Sequence, residues 1–553
     1  MQDILLKILF TSDIHGCFFP YDFLHGKEAT ASLCSIQTYV NKQREEYGDG
    51  LILLDAGDFF EGQPTCFYSN HVNKRSESLA ASIVNYMGYD CIAVGNHDIE
   101  ACHDIYDEYF KQMNSPVVCA NILQSESEET YFLPYSIIEK RGIRIAIVGM
   151  STAAVPYWLD EKRWSGMRFE SVKQTASSIV KRIREEEKPD FVVGLFHSGW
   201  DGGIDTLGIK ENETKETALS VEGFDVILYG HDHKAHCNTI KGKDEKNVLC
   251  LNPASEASFI GDVEIKYNPR TKLWHTMGRL IPVSEIRPDE EMCKAFAKEF
   301  SLAKDYMNET ICHLNSDIRS RDCCFGDAPL SAFLHHVQLR VTGADISFAA
   351  PLCFDETIAS GCVKRSDVFR LFKYDNDICG LKMTGREIKN YLEMSYDLWI
   401  NTMTKPSDHI MKTETFEYEG KEYTFFKNLV FNFDTAAGIN YTVDVTKQYG
   451  QRIRITSMQD GREFSLDDTY TVAMHSYRAN GGTEFLTIGA RIPREELNNR
   501  RCFVGKYSQR RYVMECLMLE EAEMFLPMNN WRFVPEEWTK PAIERDRAFL
   551  FGA

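Results

Sequence analysis

The stretch Asp13-Ile14-His15-Gly16 sets the architecture of the first half of this chain. It follows a short apolar run, Ile8-Leu9-Phe10, and carries an aspartate and a histidine two positions apart on a loop that ends in glycine. Four further polar loops also follow apolar runs: Asp55-Ala56-Gly57-Asp58, Gly95-Asn96-His97-Asp98, His197-Ser198-Gly199 and Gly230-His231-Asp232-His233. Loops that follow strand ends are where α/β sheets bind ligands, so these five loops predict one shared site.

Apolar runs of strand length alternate with helical periodicity through residues 1–283. The predicted strands are 4–10, 51–54, 91–94, 117–120, 143–148, 191–196, 226–229 and 248–251, and the predicted helices are 29–43, 78–87 and 172–183. Gly88 is a predicted C-cap of the second helix. This alternation is typical of a layered α/β domain.

Length, composition and charge narrow the class of protein. A chain of 553 residues with 43% hydrophobic residues is large enough for more than one folded domain. Its net charge of −20 argues against binding to a nucleic acid polymer or a membrane surface, which require basic patches. We expect a cytoplasmic protein, because the 17 cysteines lack the paired spacing of a disulfide framework and no signal peptide is visible.

The residue types in the five loops suit divalent metal ions. Hard ions such as Mg²⁺ and Mn²⁺ favour carboxylate and amide oxygens together with imidazole. The candidate ligands are Asp13, His15, Asp58, Asn96, His197, His231 and His233. Two-metal hydrolases hold their ions about 3.5–4 Å apart, usually across a shared carboxylate. Asp58 is central in the series and is the candidate bridge.

The five loops resemble the five sequence blocks of the calcineurin-like metallophosphoesterases, specifically of the 5′-nucleotidase family. The resemblance implies two divalent ions, drawn from Mn²⁺, Zn²⁺, Mg²⁺ and Co²⁺, with manganese as our expectation. It assigns Asp13, His15, Asp58 and His233 to one ion and Asp58, Asn96, His197 and His231 to the other. It also implies that His97 assists the leaving oxygen, paired with an acid three positions on. That acid is Glu100 here, and Asp98 is the alternative.

A helix is predicted at the junction between the two halves of the chain. Arg287-Pro288-Asp289 is a helix-start signal, and Met292, Phe296 and Phe300 then recur every four residues. We expect one helix of about four turns ending near Asn308, inside a linker at residues 284–309. An ordinary surface helix packed on one domain is the alternative, whereas the resemblance implies a link that permits domain rotation.

Residues 310–553 resemble the C-terminal substrate domain of the 5′-nucleotidases, notably in the stretches 363–377 and 381–393. The fold expected here is an α+β domain that includes a helix at 325–341 and a strand at 344–349. Residues 510–553 are interpreted as a tail that packs over a domain surface. The likeness is greatest to the bacterial branch that contains 5′-nucleotidases and 2′,3′-cyclic-nucleotide phosphodiesterases.

Two aromatic residues match the family positions whose rings hold the nucleobase. Phe433 lies five residues before Gly438, and Tyr477 lies four residues before Gly481 in a Gly-rich stretch that includes Asn480. The resemblance therefore implies that Phe433, Tyr477, Asn480 and Gly481 bind substrate, with the two rings stacking on the base. Core packing is the alternative for an isolated aromatic residue.

The chain also departs from the family pattern around this expected substrate site. Thr483 and Glu484 follow the Asn-Gly-Gly motif, where the family usually has an aspartate that contacts ribose. No Asn-Gly-Gly-x-x-Arg element follows the strand 344–349. Substitute contacts to the anionic substrate are therefore expected, and the candidates are Arg340, Arg365 and Arg478.

The sequence thus predicts a two-metal phosphohydrolase that acts on small-molecule nucleotides through attack of a metal-bound hydroxide on phosphorus. Within this class the alternatives are a 2′,3′-cyclic-nucleotide 2′-phosphodiesterase/3′-nucleotidase and a UDP-sugar hydrolase. Because fold alone does not establish activity, a non-catalytic nucleotide sensor is the alternative from another class.

Overall fold

The computed structural model describes residues 3–73, 77–206, 208–271, 273–372, 376–418, 421–519 and 521–552. Residues 373–375, within the first stretch likened to a substrate domain, lie outside the described residues. The chain divides into two compact units, Met1–Met307 and Asn308–Ala553. This division falls inside the segment 284–309 that is predicted to link two domains.

Two six-stranded sheets form the framework of the first unit. In spatial order, the first contains Leu273–Pro282, Phe259–Asn268, Ile4–Thr11, Leu51–Asp55, Cys91–Ala93 and Val117–Val118. The second contains Ala235–Lys241, Asn247–Pro253, Val226–Tyr229, Phe191–His197, Ile143–Ser151 and Tyr135–Lys140. Each strand that precedes a polar loop is parallel to at least one neighbour in its sheet. The carboxyl ends of these strands therefore meet at one edge of each sheet.

An apolar core lies between the two sheets. Ile8 and Leu54 from the first sheet belong to the same buried cluster as Ile147, Leu195 and Leu228 from the second. The longer helices of this unit include Leu33–Tyr47, Leu79–Met87, His103–Gln112, Val172–Glu186 and Thr214–Ser220. The helix Val172–Glu186 packs on the outer face of the second sheet. The unit is a layered α/β sandwich, as predicted.

Local signals at the helix ends behave as expected. The side chains of Ser32, Ser78 and Ser171 each accept a hydrogen bond from a backbone N–H in the first turn of a helix. Gly88 ends the helix Leu79–Met87 in the left-handed conformation, at φ 65° and ψ 54°, which agrees with its predicted role as a C-cap.

The prediction of one continuous helix in the linker segment is wrong. The structure has two helices, Glu290–Ala295 and Ala297–Asn308, which are interrupted at Phe296. Phe296 is buried, and its ring lies 5.6 Å from that of Tyr86. Phe300 packs in turn against Phe19, at a ring separation of 5.4 Å. Both helices are thus packed on the first unit, and a role in domain rotation stays a prediction.

The second unit has an α+β fold. Its five-stranded sheet contains, in spatial order, Thr435–Ala437, Ile346–Ala349, Thr469–His475, Asp377–Thr384 and Arg501–Ser508. A three-stranded sheet contains Ile453–Met458, Ile439–Asp444 and Trp531–Val534. The longer helices include Pro329–Thr342, Arg365–Leu371, Gly385–Trp399, Gln509–Leu517 and Glu536–Phe551. The strands Thr413–Tyr418 and Lys421–Phe426 pair as a hairpin.

The interpretation of residues 510–553 as a surface tail is wrong. Trp531 and Phe533 lie in the main core of the second unit, and their strand pairs in parallel with Ile439–Asp444. The sequence does not indicate that the strand Trp531–Val534 belongs to the core, because the strand is short and lies far along the chain from its partner Ile439–Asp444. Among the described residues, none of the helices has the length and apolar character needed to cross a bilayer.

A buried ion pair joins the two strands Ile4–Thr11 and Phe259–Asn268. Lys7 Nζ lies 2.7 Å from Asp262 Oδ1, and the Tyr39 hydroxyl donates to Asp262 Oδ2 at 2.6 Å. Burial alone would raise the pKa of Asp262, but hydrogen bonds from Lys7, Tyr39 and Arg279 outweigh it and lower that pKa. The carboxylate therefore stabilises the fold in its ionised form.

We expect Asp262→Asn to lower the free energy of unfolding at pH 7 by about 3–5 kcal/mol, because Lys7 loses its buried partner. The pKa of Asp262 is lower in the folded than in the unfolded state, so its contribution is complete above the unfolded value and is lost as pH falls through the folded value. Urea unfolding at pH 7 and pH 3, with a chelator present, measures this contribution. The free energy of unfolding should fall less between pH 7 and pH 3 in the variant than in the parent protein.

The matched control is Asp3→Asn, which breaks the more exposed pair between Asp3 and Lys266. We expect a change of at most about 1 kcal/mol there. Equal destabilisation by the two variants would contradict a special role for the buried pair.

Candidate metal centre

The loops that carry the predicted ligands have strained backbones. Five of the seven predicted ligands have left-handed φ values, at 49–57° for Asp13, His15, Asp58 and His233 and at 85° for His231. Residues other than glycine rarely adopt this conformation, and it concentrates at functional sites. The strain is held because several parallel strands fix the ends of these loops.

Two glycines allow the loops of Asp58 and Asn96 to touch. A Cβ atom at Gly57 would lie 2.3 Å from the backbone nitrogen of Gly95, and a Cβ atom at Gly95 would lie 2.1 Å from Asp58 Oδ1. Any larger residue at either position would push the loops apart. The glycines therefore serve close backbone approach, and Gly57 also has a φ of 98°.

Asp13, His15 and His233 form the first cluster of candidate ligands. Asp13 Oδ1 lies 3.2 Å from His233 Nε2, which in turn lies 3.1 Å from His15 Nε2. His15 Nδ1 lies 2.9 Å from the backbone oxygen of Glu61 and donates to it, which leaves Nε2 as the ligand atom. Asp13 is fully buried.

Asp58, His197 and His231 form the second cluster. Asp58 Oδ2 lies 3.1 Å from His197 Nε2, and the same nitrogen lies 3.1 Å from Asn96 Oδ1. Asp58 Oδ2 is also 3.9 Å from His15 Nε2, in the first cluster. Asp58 is therefore the carboxylate that reaches both clusters, in the position predicted for the bridge.

The electrostatics of the two clusters fit divalent cations. Burial by itself would raise the pKa of Asp13, but its hydrogen bond with His233 and the charge of His197 lower it to about 2. Burial would lower the pKa of His197, but Asp58 raises it to about 9. Buried carboxylates that face histidine nitrogens at hydrogen-bond distance hold positive charge between them, and a divalent ion can take the place of protons there.

His97 pairs with Glu100 beside these clusters. His97 Nδ1 lies 2.5 Å from Glu100 Oε2, and the His97 ring centroid is 5.3 Å from that of His15. Asp98 instead accepts hydrogen bonds from the backbone N–H groups of Asp58 and Gly95, both at 2.9 Å. The structure thus places Glu100 as the partner of His97 and uses Asp98 to shape the ligand loops.

Sequence reasoning missed Glu211. Its Oε1 lies 3.1 Å from His231 Nε2. The contact could not be predicted, because no sequence pattern connects a glutamate with a histidine 20 residues away. Asp232, from the same loop as His231, accepts hydrogen bonds at 2.8 Å from the backbone of Trp200 and from the Asn252 side chain. Both contacts depend on how the loops meet.

Comparison with known proteins agrees with this geometry. Residues 6–235 match the calcineurin-like phosphoesterase family, and residues 306–489 match the 5′-nucleotidase C-terminal domain. Together these two matches cover more than half of the chain. This chain belongs to the calcineurin-like phosphoesterases that carry a 5′-nucleotidase C-terminal domain. The predicted family, fold class and hydrolase class are therefore confirmed, and such a phosphoesterase requires divalent metal ions.

Relatives of this phosphoesterase are distant in sequence. A trifunctional nucleotide phosphoesterase of Bacillus subtilis is 23% identical over 98% of this chain, which spans 39% of that protein. A 2′,3′-cyclic-nucleotide 2′-phosphodiesterase/3′-nucleotidase of Haemophilus influenzae is 23% identical over 97% of this chain and 88% of its own length. A solved structure of a candidate 5′-nucleotidase from Staphylococcus aureus shares the fold, with a TM-score of 0.77, 19% identity and coverage of 96% of this chain and 99% of its own.

In the C-terminal domain of this phosphoesterase, the structure does not support Phe433 as a base-stacking residue. Phe433 has no exposed surface, and its ring is stacked on Trp399 at 5.2 Å with an interplanar angle of 3°. Phe426 covers it from another side at 5.2 Å. Phe433 therefore has the alternative role of core packing, because its neighbours leave no room for a base.

Tyr477 is half-buried and faces Phe431, two positions before Phe433. The two ring centroids are 6.5 Å apart with an interplanar angle of 82°, and the Tyr477 hydroxyl lies 3.2 Å from Thr483 Oγ1. Phe431 is also half-buried. These two rings, rather than Phe433 and Tyr477, are the partly exposed aromatic pair.

The other predicted substrate contacts have internal partners. Arg478 is fully buried, 3.0 Å from Asp434 Oδ2, so its charge is neutralised inside the domain and it is not a substitute anion contact. Asn480 accepts a hydrogen bond from Arg501, and Gly481 adopts a φ of 88° at the turn. Two more candidate anion contacts pair with carboxylates at the surface: Arg340 with Glu521 and Arg365 with Glu309.

We expect His97→Ala to lower kcat for an alkyl phosphate such as β-glycerophosphate by about 10²–10⁴-fold, because the general acid that the family resemblance implies for the poor alkoxide leaving group is lost. The content of bound metal should not change, since His97 lies outside both clusters of candidate ligands. Steady-state kinetics and metal analysis of the same samples measure both quantities.

The matched control is His25→Ala. His25 also pairs with a carboxylate three residues away, Asp22, at 2.7 Å, but on an exposed loop. Its loss should leave kcat unchanged. A similar kcat for the His97 variant and the parent protein would contradict the assigned role.

Proposed function

We propose that this phosphoesterase hydrolyses phosphate esters of small-molecule nucleotides in a site with two divalent ions. The observation that carries the proposal is the position of Asp58 between two clusters of ligands, with the His97–Glu100 pair beside them. Each cluster offers nitrogen and oxygen atoms of the kind that divalent ions bind in hydrolases. Manganese is the ion that we propose for both sites, and a cytoplasmic location stays a prediction.

Each residue of the site has a distinct role in the proposed reaction. One ion would be held by Asp13, His15 and His233, and the other by Asn96, His197 and His231. Asp58 would bind both ions. Ions bound there supply Lewis-acid polarisation of the phosphoryl group and of water. Glu100 accepts a hydrogen bond from His97 Nδ1–H and so orients the ring. His97 enters the step as imidazolium, Nε2 gives its proton to the leaving oxygen, and the ring is left neutral with its Nδ1–H retained.

The C-terminal domain supports a nucleotide as substrate. Phe431 and Tyr477 offer two partly exposed rings, and stacking of a base on such rings contributes roughly 1–3 kcal/mol while tolerating any base. Relatives named for 5′-nucleotidase activity, such as that of Vibrio cholerae, align with 87% of this chain and 86% of their own length. Their name supports a nucleotide here without specifying the base.

A second candidate activity is hydrolysis of 2′,3′-cyclic nucleotides followed by removal of the 3′-phosphate. The relative from Haemophilus influenzae with this name aligns with nearly the whole chain. A UDP-sugar hydrolase is a further alternative from the sequence. The pairing of His97 with Glu100 next to complete ligand clusters supports catalysis over a non-catalytic sensor.

The test is release of phosphate and nucleoside by the purified protein in Mn²⁺, with AMP, 3′-AMP, 2′,3′-cyclic AMP and UDP-glucose as substrates. Asp58→Asn and His97→Ala serve as inactive controls. We expect turnover of at least one substrate by the parent protein and a large loss in both variants. No turnover of any of the four, with two ions bound, would contradict the proposal and favour the sensor alternative.

We expect the aromatic residues of the C-terminal domain to separate into two classes. Phe431→Ala and Tyr477→Ala should raise KM for AMP by about 10–100-fold, because one stacking surface is lost. Phe433→Ala should instead lower the free energy of unfolding by about 3–5 kcal/mol, because it leaves a cavity beside Trp399. Steady-state kinetics and chemical denaturation on each variant distinguish the classes. Higher KM from Phe433→Ala in a protein of normal stability would contradict the assignment.

A further inference from the structure

The three buried or partly buried histidines His15, His197 and His231 are not held in the same way. His15 and His197 each turn Nδ1 toward a backbone oxygen, of Glu61 and Ala56 respectively, both at 2.9 Å. His231 differs because its Nε2 lies 3.1 Å from a carboxylate oxygen of Glu211. With Nε2 occupied by this bond, Nδ1 is the nitrogen that His231 can offer to the cluster with Asp58 and His197.

Glu211 is itself fixed from several directions. Its second carboxylate oxygen accepts from the backbone N–H of Ile204 at 2.8 Å. Its backbone carbonyl accepts from the hydroxyls of Ser198 at 3.1 Å and Thr152 at 2.9 Å. A Cβ atom at Gly203 would lie 2.4 Å from the Glu211 carboxylate, so that glycine makes room for it. The carboxylate is therefore held in one place before any ligand binds.

The two residues that follow Glu211 fix neighbouring parts of the same site. Asn212 Oδ1 accepts at 2.7 Å from the backbone N–H of Gly199, in the loop that begins with His197. Glu213 is buried and accepts at 2.7 Å from the backbone N–H of Val172, at the start of the helix Val172–Glu186. The segment 211–213 thus anchors the His197 loop, the His231 ring and an outer helix together.

We propose that Glu211 is a positioning residue that selects the ligating nitrogen of His231 and raises the affinity of the Asp58–Asn96–His197–His231 site for its ion. Glu211 accepts a hydrogen bond from Nε2–H of the neutral ring, which leaves the lone pair of Nδ1 directed to the ion. Its negative charge close outside the ligands also favours a divalent cation. This inference rests on the proposed two-metal site. It implies that the two ion sites respond differently to loss of Glu211.

The test is Mn²⁺ binding by calorimetry and by electron paramagnetic resonance, with the 553-residue parent protein and three variants. We expect the parent protein to bind two ions and, when saturated, to show the coupled spectrum of two nearby Mn²⁺ ions. Glu211→Ala should bind one ion about 10–100-fold more weakly than the parent. With one equivalent of Mn²⁺ it should show the spectrum of an isolated ion.

Rescue by a conservative variant separates positioning from a general structural role. The amide oxygen of Glu211→Gln can accept from His231 Nε2–H, but the side chain carries no charge, so we expect an affinity between those of the parent and the alanine variant. The matched control is Glu216→Gln in the helix Thr214–Ser220 that follows, which removes a carboxylate that pairs with Lys173 and Lys210 at the surface. We expect that control to bind both ions as the parent does. Melting of the metal-free proteins shows whether each variant folds.

Three results would count against the inference, and they are distinguishable from one another. Parent-like affinities and a coupled spectrum in Glu211→Ala would show that Glu211 does not position His231, while the two-metal proposal would stand. A parent protein that binds fewer than two ions would remove the two-metal proposal itself. If Glu211→Ala does not fold, parent-like affinities for both ions in Glu211→Gln overturn the role of the charge.

Discussion

The buried carboxylate of Asp58 is the constraint on which the first unit depends. Only 1% of this residue is exposed, and an unpaired carboxylate in such a place would be strongly destabilising. His197 Nε2 at 3.1 Å and the backbone N–H of His97 at 2.8 Å stabilise the ionised form. The pKa of Asp58 lies well below its usual value, because the charges of His197 and His97 outweigh burial.

Most of the remaining architecture serves to bring partners to that carboxylate. Two sheets provide loops from five strands, and two of these loops, those of Asp58 and Asn96, touch only because Gly57 and Gly95 leave no side chain between them. Asp98 then locks the arrangement by accepting from the backbone of Asp58, Phe59 and Gly95. The left-handed conformations at Asp13, His15 and Asp58 are the local strain that this framework holds.

In the C-terminal unit, two phenylalanines only two positions apart differ in burial. Phe433 continues an aromatic stack with Trp399, whereas Phe431 remains partly exposed opposite Tyr477. Arg478, next to Tyr477, is used to neutralise Asp434 inside the core. The half-buried ring of Tyr477 thus lies beside a buried ion pair in which the charges of Arg478 and Asp434 neutralise each other.

The sequence by itself determined the family, the α/β class of the first half and the seven candidate ligands, because short motifs after apolar runs depend on local chain geometry. The family resemblance also implied the pairing of His97 with an acid three residues on, and the structure shows that contact within one helical turn. Only the tertiary structure decided that Glu100 rather than Asp98 is this acid, that Phe431 rather than Phe433 is partly exposed, and that Glu211 holds His231. These outcomes depend on contacts between residues or loops whose relative orientation no local pattern encodes.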